Sequence, residues 1–252
     1  MLGHPHQALK VETIRTVWQK NLSSIETGKA MTIIMGATFL GGAAVAADSL
    51  RHNAINLQNA GYSDKTLTLN SRTVAAKAGY GPDADSIWRL LLETGLADVG
   101  PAEISNRLRE IGADVYAQCL QRAEALGVQD PGIYLIVAGT ELDGRPALYW
   151  LNFQLQDFGH CNEAGRVIAY ASRAESNNNA SRHAMQLVRN TQAGLTLQLD
   201  TWARNLVTDE HMYAPHAIGF PVNLRIAKPD GVIDLTLPNR GTANRIAEVS
   251  IG

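Results

Sequence analysis

Two apolar runs set close together constrain this chain more than any other feature. Thr32 to Phe39 and Ala43 to Asp48 are each of strand length, and only Leu40-Gly41-Gly42 separates them. Apolar runs of this length on either side of a glycine turn read as a β-hairpin. A second pair follows, Lys65 to Leu69 and Thr73 to Ala78, with Asn70-Ser71-Arg72 as its turn. Helical spacing then takes over. Asp83 to Leu96 places Ile87, Leu90 and Leu91 on one face, and Pro101 to Leu126 carries Ile104, Leu108, Ile111, Val115, Cys119 and Ala123. Pro101 stands where a first-turn proline is tolerated and Gly127 where a helix stop belongs. Strands return at Ile133 to Gly139, Ala147 to Gln154 and Val167 to Ala171, followed by helices at Ala180 to Thr191 and Leu197 to Val207. Val222 to Ile226 and Val232 to Leu237 close the chain as strands around Lys228-Pro229-Asp230-Gly231. Strands, two helices, strands, two helices, strands: this order predicts an α+β sandwich with helices outside two packed sheets.

Composition excludes several classes of function. With 252 residues, 45% of them hydrophobic, the chain is one large globular domain or two small ones. Lys and Arg number 22 against 24 Asp and Glu, a formal net charge of -2, so the clustered basic excess of a nucleic-acid surface is missing. Cys119 and Cys161 are too few for a disulfide framework and lack the C-x-x-C spacing of a zinc site, which points to a reducing compartment. The longest apolar stretch, Ile33 to Ala47, is broken by Gly36, Gly41 and Gly42 and falls short of the ~20 residues that span a bilayer. His4, His6, Glu12 and Lys20 interrupt the N-terminus, so it carries no apolar core of a secretory signal. A cytoplasmic protein is expected, with no membrane and no nucleic acid among its partners. Residues 1–31 read apart from the rest. Val11, Ile14, Val17, Trp18 and Leu22 recur there at helical spacing, ahead of the looser Ser23-Ser24-Ile25-Glu26-Thr27-Gly28. The body, residues 32–252, reads as a single domain.

Common catalytic motifs are absent: no G-x-x-x-x-G-K-[ST], no G-x-G-x-x-G opening a helix, no H-E-x-x-H and no G-x-S-x-G. His160 and Cys161 are adjacent and so point to opposite faces of a strand, and His211 and His216 have no third ligand at metal spacing. The informative segment runs from Met31-Thr32-Ile33-Ile34-Met35-Gly36 to Val45-Ala46-Ala47-Asp48-Ser49. It resembles, without a gap, the first hairpin of catalytic proteasome-type β subunits, a branch of the N-terminal nucleophile hydrolases. There a terminal threonine opens the strand T-T-I-V-G and the return strand ends in A-A-D-S. Ser63-Asp64-Lys65 then starts the strand that in this family carries a catalytic lysine, with one extra residue in the connection. Ala78-Gly79-Tyr80-Gly81-Pro82-Asp83-Ala84-Asp85 resembles the A-G-x-x-A-D turn that opens the family's first helix. Further on, Asp209 to Leu224 is similar to the D-S-T-x-x-S-N-x-S-V-G-x-P-x-D-L segment of the Anbu branch of bacterial proteasome homologues, a branch that also begins Met-Thr. The likeness extends from Met31 to about Asp234, and between Leu96 and Ile168 it rests on the order of elements.

The resemblance implies a four-layer αββα sandwich and a threonine peptidase. A threonine hydroxyl is a poor nucleophile until a base takes its proton. An α-amino group, with a reference pKa of about 7.7–8, titrates near working pH, so a terminal threonine brings its own base. By resemblance Thr32 attacks the peptide carbonyl and its own amine shuttles the proton. Lys65 lowers the pKa of both groups and Asp48 holds Lys65. Gly79, with Gly81 as the competing register, supplies the N–H of the oxyanion hole. Ser172, in Ala169-Tyr170-Ala171-Ser172, matches the serine of the family's I-G-S-G turn, and Asp209 its second aspartate, though Ala171 and Arg173 replace the flanking glycines. Neither cofactor nor metal is called for.

With residues 1–31 attached, the Thr32 nitrogen is an amide and no base. Two routes expose it: autolysis of a propeptide, although Met31 stands where the family normally has glycine, or translation from Met31 followed by trimming. The expected substrate is a peptide or unfolded protein, cut within a homo-oligomeric ring or helical stack. Whether an ATP-dependent unfoldase feeds it is not legible. Two other functions stay open: a non-catalytic ring or scaffold subunit, since α-type ring subunits also place a helix ahead of the first strand, and an acyl-transferring peptide ligase.

Overall fold

The paired apolar runs form an antiparallel hairpin, β1 (Ile34–Phe39) and β2 (Gly42–Asp48), turning at Gly41 with φ 76°. Every residue of both strands is buried. Their side chains alternate as strands require, yet both faces are apolar because both are covered. Met35, Ala37, Phe39, Ala44 and Ala46 face a helical layer, while Ile34, Ala43, Val45 and Ala47 face a second sheet. The computed structural model describes residues 32–52, 58–128, 131–171, 175–191, 194–239 and 248–252. The N-terminal segment 1–31 and Ser172 lie outside the described residues.

After β2 come β3 (Leu50–His52), β4 (Asn59–Tyr62), β5 (Thr66–Asn70) and β6 (Thr73–Gly79), then α1 (Gly81–Leu92) and α2 (Pro101–Ala125). Strands β7 (Ile133–Thr140), β8 (Pro146–Asn152), β9 (Asp157–Cys161) and β10 (Val167–Tyr170) precede α3 (Ser176–Leu187). The chain continues through β11 (Val188–Thr191), β12 (Gly194–Gln198), α4 (Leu199–Tyr213), β13 (Val222–Lys228), β14 (Gly231–Leu237) and β15 (Glu248–Ser250). Two five-stranded antiparallel sheets result, ordered β10-β1-β2-β13-β14 and β5-β6-β7-β8-β9. They pack face to face over Ile34, Val45, Val74, Ala76, Ile136, Leu148 and Ile168. Helices α1 and α2 cover the outer face of the second sheet through Ile87, Trp88, Leu91, Ile104, Leu108 and Cys119. Helices α3 and α4 cover the first, where Trp202 and Leu206 pack with Ile33, Met35 and Phe39, and the Trp202 indole N–H donates to the Ala180 carbonyl at 2.9 Å. The four layers are helix, sheet, sheet, helix, an α+β sandwich of the αββα kind.

Element boundaries differ from the sequence expectation where polar or glycine residues intervene. Helix α1 ends at Leu92 rather than Leu96, since Gly95 turns the chain with φ 72° and Leu96 drops into the core beside α2. Helix α3 begins at Ser176, four residues before the expected Ala180, because the Asn177 side chain accepts from the Ala169 N–H at 3.1 Å and so ties the helix start to β10. It also stops at Leu187, where Val188 goes extended and starts β11. Helix α4 runs past Val207 to Tyr213. Strands β3, β4, β9, β11, β12 and β15 are additional.

Candidate active site

The hairpin register carries the end of β2 back beside the start of β1. Ile34 pairs with Ala47, so the next step outward sets Ile33 against Asp48: the Asp48 N–H donates to the Ile33 carbonyl at 3.2 Å, and the Ile33 N–H donates to Asp48 Oδ1 at 3.1 Å. Thr32 therefore sits next to a carboxylate. In the facing sheet, β5 opens just after Lys65, whose carbonyl accepts from the Lys77 N–H of β6 at 2.9 Å. This fixes the Lys65 backbone at the rim of the second sheet and lets its side chain cross to the first.

There the lysine ends in three bonds. Lys65 Nζ lies 2.8 Å from Thr32 Oγ1, 2.9 Å from Asp48 Oδ1 and 2.6 Å from the Leu50 carbonyl. Asp48 is wholly buried and accepts four hydrogen bonds: from Lys65 and Ile33 on Oδ1, and from the N–H groups of Leu50 at 3.1 Å and Gly219 at 3.2 Å on Oδ2. The Gly219 donor comes from the loop before β13, so the carboxylate ties three parts of the chain together. Burial, the largest cause, pushes the Lys65 ammonium below the ordinary lysine range, and Arg51 adds to this while Asp48 pulls it back. Burial likewise pushes Asp48 up, against Lys65 and the Ile33 and Gly219 N–H groups. The geometry makes the consequence specific. An ammonium has three N–H donors, and two are held by Asp48 and Leu50; the third position faces the Thr32 hydroxyl. Loss of one proton leaves a lone pair aimed at that hydroxyl, and its return makes a donor to the same oxygen.

Gly79, the last residue of β6, has φ 105°, and a side chain there would overlap the Gly132 carbonyl, so no other residue fits without strain. Backbone N–H groups on a strand alternate sides, and that of Lys77 points at Lys65. The same parity turns the Gly79 N–H away from β7 and toward the space beside Lys65. Gly81 begins α1 and has no such positive φ. Thr32, Lys65, Gly79 and Gly81 line one cleft of about 390 Å³, whose walls include Arg51, Lys77 and Asp85.

Of the other residues singled out in the sequence, Asp209 lies on α4, where Arg182 and His183 of α3 each approach its carboxylate at 3.3 Å. Its neighbour Glu210 is fully buried and accepts from Ser176 Oγ at 2.8 Å. Ser172 is outside the described residues. The sequence reading missed the Leu50 carbonyl and the Gly219 N–H, since backbone groups leave no residue-type signal. It also missed Arg51 and Lys77, whose place in the cleft depends on β3 and α1 closing over it.

No family model matches this sequence, and no curated protein matches it. Solved structures do. The fold is similar to that in the helical assembly of the Anbu complex from Pseudomonas aeruginosa, at 17% identity and a TM-score of 0.64, over 84% of this chain and 88% of that one. Anbu (ancestral β-subunit) from Yersinia bercovieri is similar at 15% identity and a TM-score of 0.61, over 83% and 88% of the two chains. An Anbu mutant from Hyphomicrobium sp. strain MC1 gives 13% identity and a TM-score of 0.60, over 82% and 87%. At these identities the likeness is one of fold.

Proposed function

We propose that this chain, folded as the Anbu proteins are, is a threonine peptidase that works once everything ahead of Thr32 has been removed. The observation that carries the reading is the 2.8 Å approach of Lys65 Nζ to Thr32 Oγ1, with the lysine's other two donor directions taken by Asp48 and Leu50. Thr32 Oγ1 attacks the peptide carbonyl carbon while its proton passes to the freed Thr32 amine or to Lys65, and the developing oxyanion is met by the Gly79 N–H. The C–N bond then breaks, the leaving amine takes the proton, and an ester to Thr32 remains. A water, deprotonated by the same amine, hydrolyses the ester and restores the hydroxyl. Asp48 holds Lys65 and does not touch substrate. Asp209, on α4, is proposed as a supporting group, to be tested by Asp209→Asn, and Ser172, by the resemblance alone, as a second, to be tested by Ser172→Ala. Self-association into a ring or helical stack is part of the proposal, on the likeness to the Pseudomonas complex.

A peptide epoxyketone, which needs both a hydroxyl and a free amine on one residue, tests the reading. Protein beginning at Thr32 should be labelled on that residue and lose peptidase activity. Protein that retains Met31, or that carries Thr32→Ala, should remain unlabelled. Trimmed protein that stays unlabelled and cleaves no peptide overturns the peptidase and leaves a scaffold subunit. Intact-mass measurement of natively expressed protein checks the exposure step, and a chain that keeps Met1 contradicts it.

A further inference from the structure

Strand β6 is apolar on the face between the sheets, where Val74, Ala76 and Ala78 are buried, and Ala75 is buried on the face toward α1. The next residue on that helix-ward face is Lys77. Its side chain is only 13% exposed, its Nζ sits 4.3 Å from the centroid of the Trp88 ring, and it is ion-paired with Asp85, whose side chain is 53% exposed. Both partners on α1 therefore form a socket that a cation fills from the side of the strand. Gly79 lies two residues on and so belongs to the same face, about 7 Å along the strand.

The cleft shared by these groups is unevenly charged. Lys65, Lys77 and Arg51 line it, and Asp85 is the one acid among its described lining residues. Lys65 is matched by Asp48. Asp64, the other acid whose field reaches Lys77, is engaged elsewhere: Arg225 holds it at 2.8 Å, and the Thr66 N–H and hydroxyl bond it at 2.8 and 2.6 Å. Burial first, then Arg51 and Lys65, push Lys77 down to about 8, with Asp64 opposing. The wall beside Gly79 is thus short of negative charge, and its one counter-ion stands at the solvent rim.

We propose that Lys77 and Arg51 form a carboxylate-reading subsite, so that the residue on the acyl side of the cleaved bond is preferentially Glu or Asp. This rests on Thr32 as nucleophile. With the scissile carbonyl carbon at Thr32 Oγ1 and its oxygen at the Gly79 N–H, the side chain of that residue lies along the helix-ward face of β6. There its carboxylate takes the place of Asp85 on Lys77. A leucine in the same position leaves both cations without a new partner, and an arginine meets two like charges.

Fluorogenic peptides that differ only in the residue before the scissile bond, Glu, Leu or Arg, test this on protein beginning at Thr32. The expected order of kcat/KM is Glu first, above Leu by about tenfold or more, with Arg last. Lys77→Met should collapse the Glu preference, and Lys77→Glu should bring Arg ahead of Glu, with thermal melting to verify that each variant is folded. Epoxyketone labelling of Thr32 separates the two readings. If Thr32 is labelled and Leu or Arg peptides are cleaved as well as Glu peptides, the acidic subsite is wrong and the peptidase stands. If trimmed wild-type protein is neither labelled nor active, both fall.

Discussion

The floor and the wall of the cleft each hold a lysine, and the two are built to opposite ends. Lys65 on the floor is 8% exposed, its counter-ion Asp48 is fully buried, and every donor direction has a fixed acceptor. Lys77 on the wall rests against an aromatic ring and pairs with an acid that is more than half exposed. A buried ion pair is costly to assemble and costly to break, because removing one partner strands the other without water. A pair open to solvent is worth about 0–1 kcal/mol, so its partner can be exchanged. The first arrangement suits a group that must keep one geometry through a reaction, and the second suits a group that accepts a new counter-ion with each substrate.

Breaking the floor should have the largest effect. Lys65→Met removes the group that faces Thr32 Oγ1, and kcat/KM should fall by about 10²–10⁴-fold. Asp48 is then left buried without its counter-ion and with only backbone N–H donors, so chemical denaturation should report a loss of about 3–5 kcal/mol. The double variant Lys65→Met with Asp48→Asn separates the two consequences. An asparagine oxygen still accepts from Ile33 or from Leu50 and Gly219 while the buried charge disappears, so most of the stability should return. Activity should stay lost. Recovery of activity in the double variant would show that the lysine acts only by holding the fold.

The pH dependence sharpens the same contrast. Lys77, held down at about 8, is cationic below that pH and neutral above it. The ratio of kcat/KM for a Glu peptide to that for a Leu peptide should therefore be highest below pH 8 and fall as the pH rises through it, by about tenfold if charge reading is complete. Taking the ratio cancels the titration of the Thr32 amine and of Lys65, which both substrates share. A ratio flat from pH 7 to pH 10 would break the assignment of Lys77 as the reader.

How much of this was legible before the structure differs between floor and wall for a physical reason. The hairpin from Thr32 to Asp48 is legible because both its faces are buried, which leaves an uninterrupted apolar signature. Thr32, Asp48 and Lys65 are legible through family resemblance alone, since each is an ordinary residue for a strand end, and the structure sets Lys65 Nζ within hydrogen-bond distance of both Thr32 Oγ1 and Asp48 Oδ1. Lys77 carries no such mark. In Thr73-Val74-Ala75-Ala76-Lys77-Ala78 it reads as a routine strand lysine, and only the packing of Trp88 and Asp85 from α1 makes it a half-buried wall. The bonds to Asp48 from Leu50 and Gly219 are backbone bonds, invisible to residue identity. Strands β3 and β4 were missed because they are short, with β4 largely exposed. The start of α3 was missed because three successive asparagines argue against a helix, until one of them is seen anchoring β10.

The smallest expected effect is also the one that runs against intuition. Asp85 pairs with Lys77 in the cleft, so Asp85→Asn removes an attraction that the folded protein already has. Because the carboxylate is more than half exposed, stability should change by no more than about 1 kcal/mol. The consequence for acidic peptides has the opposite sign. A substrate carboxylate that reaches Lys77 must displace Asp85, and with asparagine there it competes against a neutral amide and meets no like charge at the rim. KM for the Glu peptide should drop by up to about fivefold, the equivalent of the same surface pair, while kcat holds and the Leu peptide is unaffected. A uniform loss on Glu and Leu peptides alike would mean that Asp85 positions α1 and that the wall, like the floor, is a fixed structure.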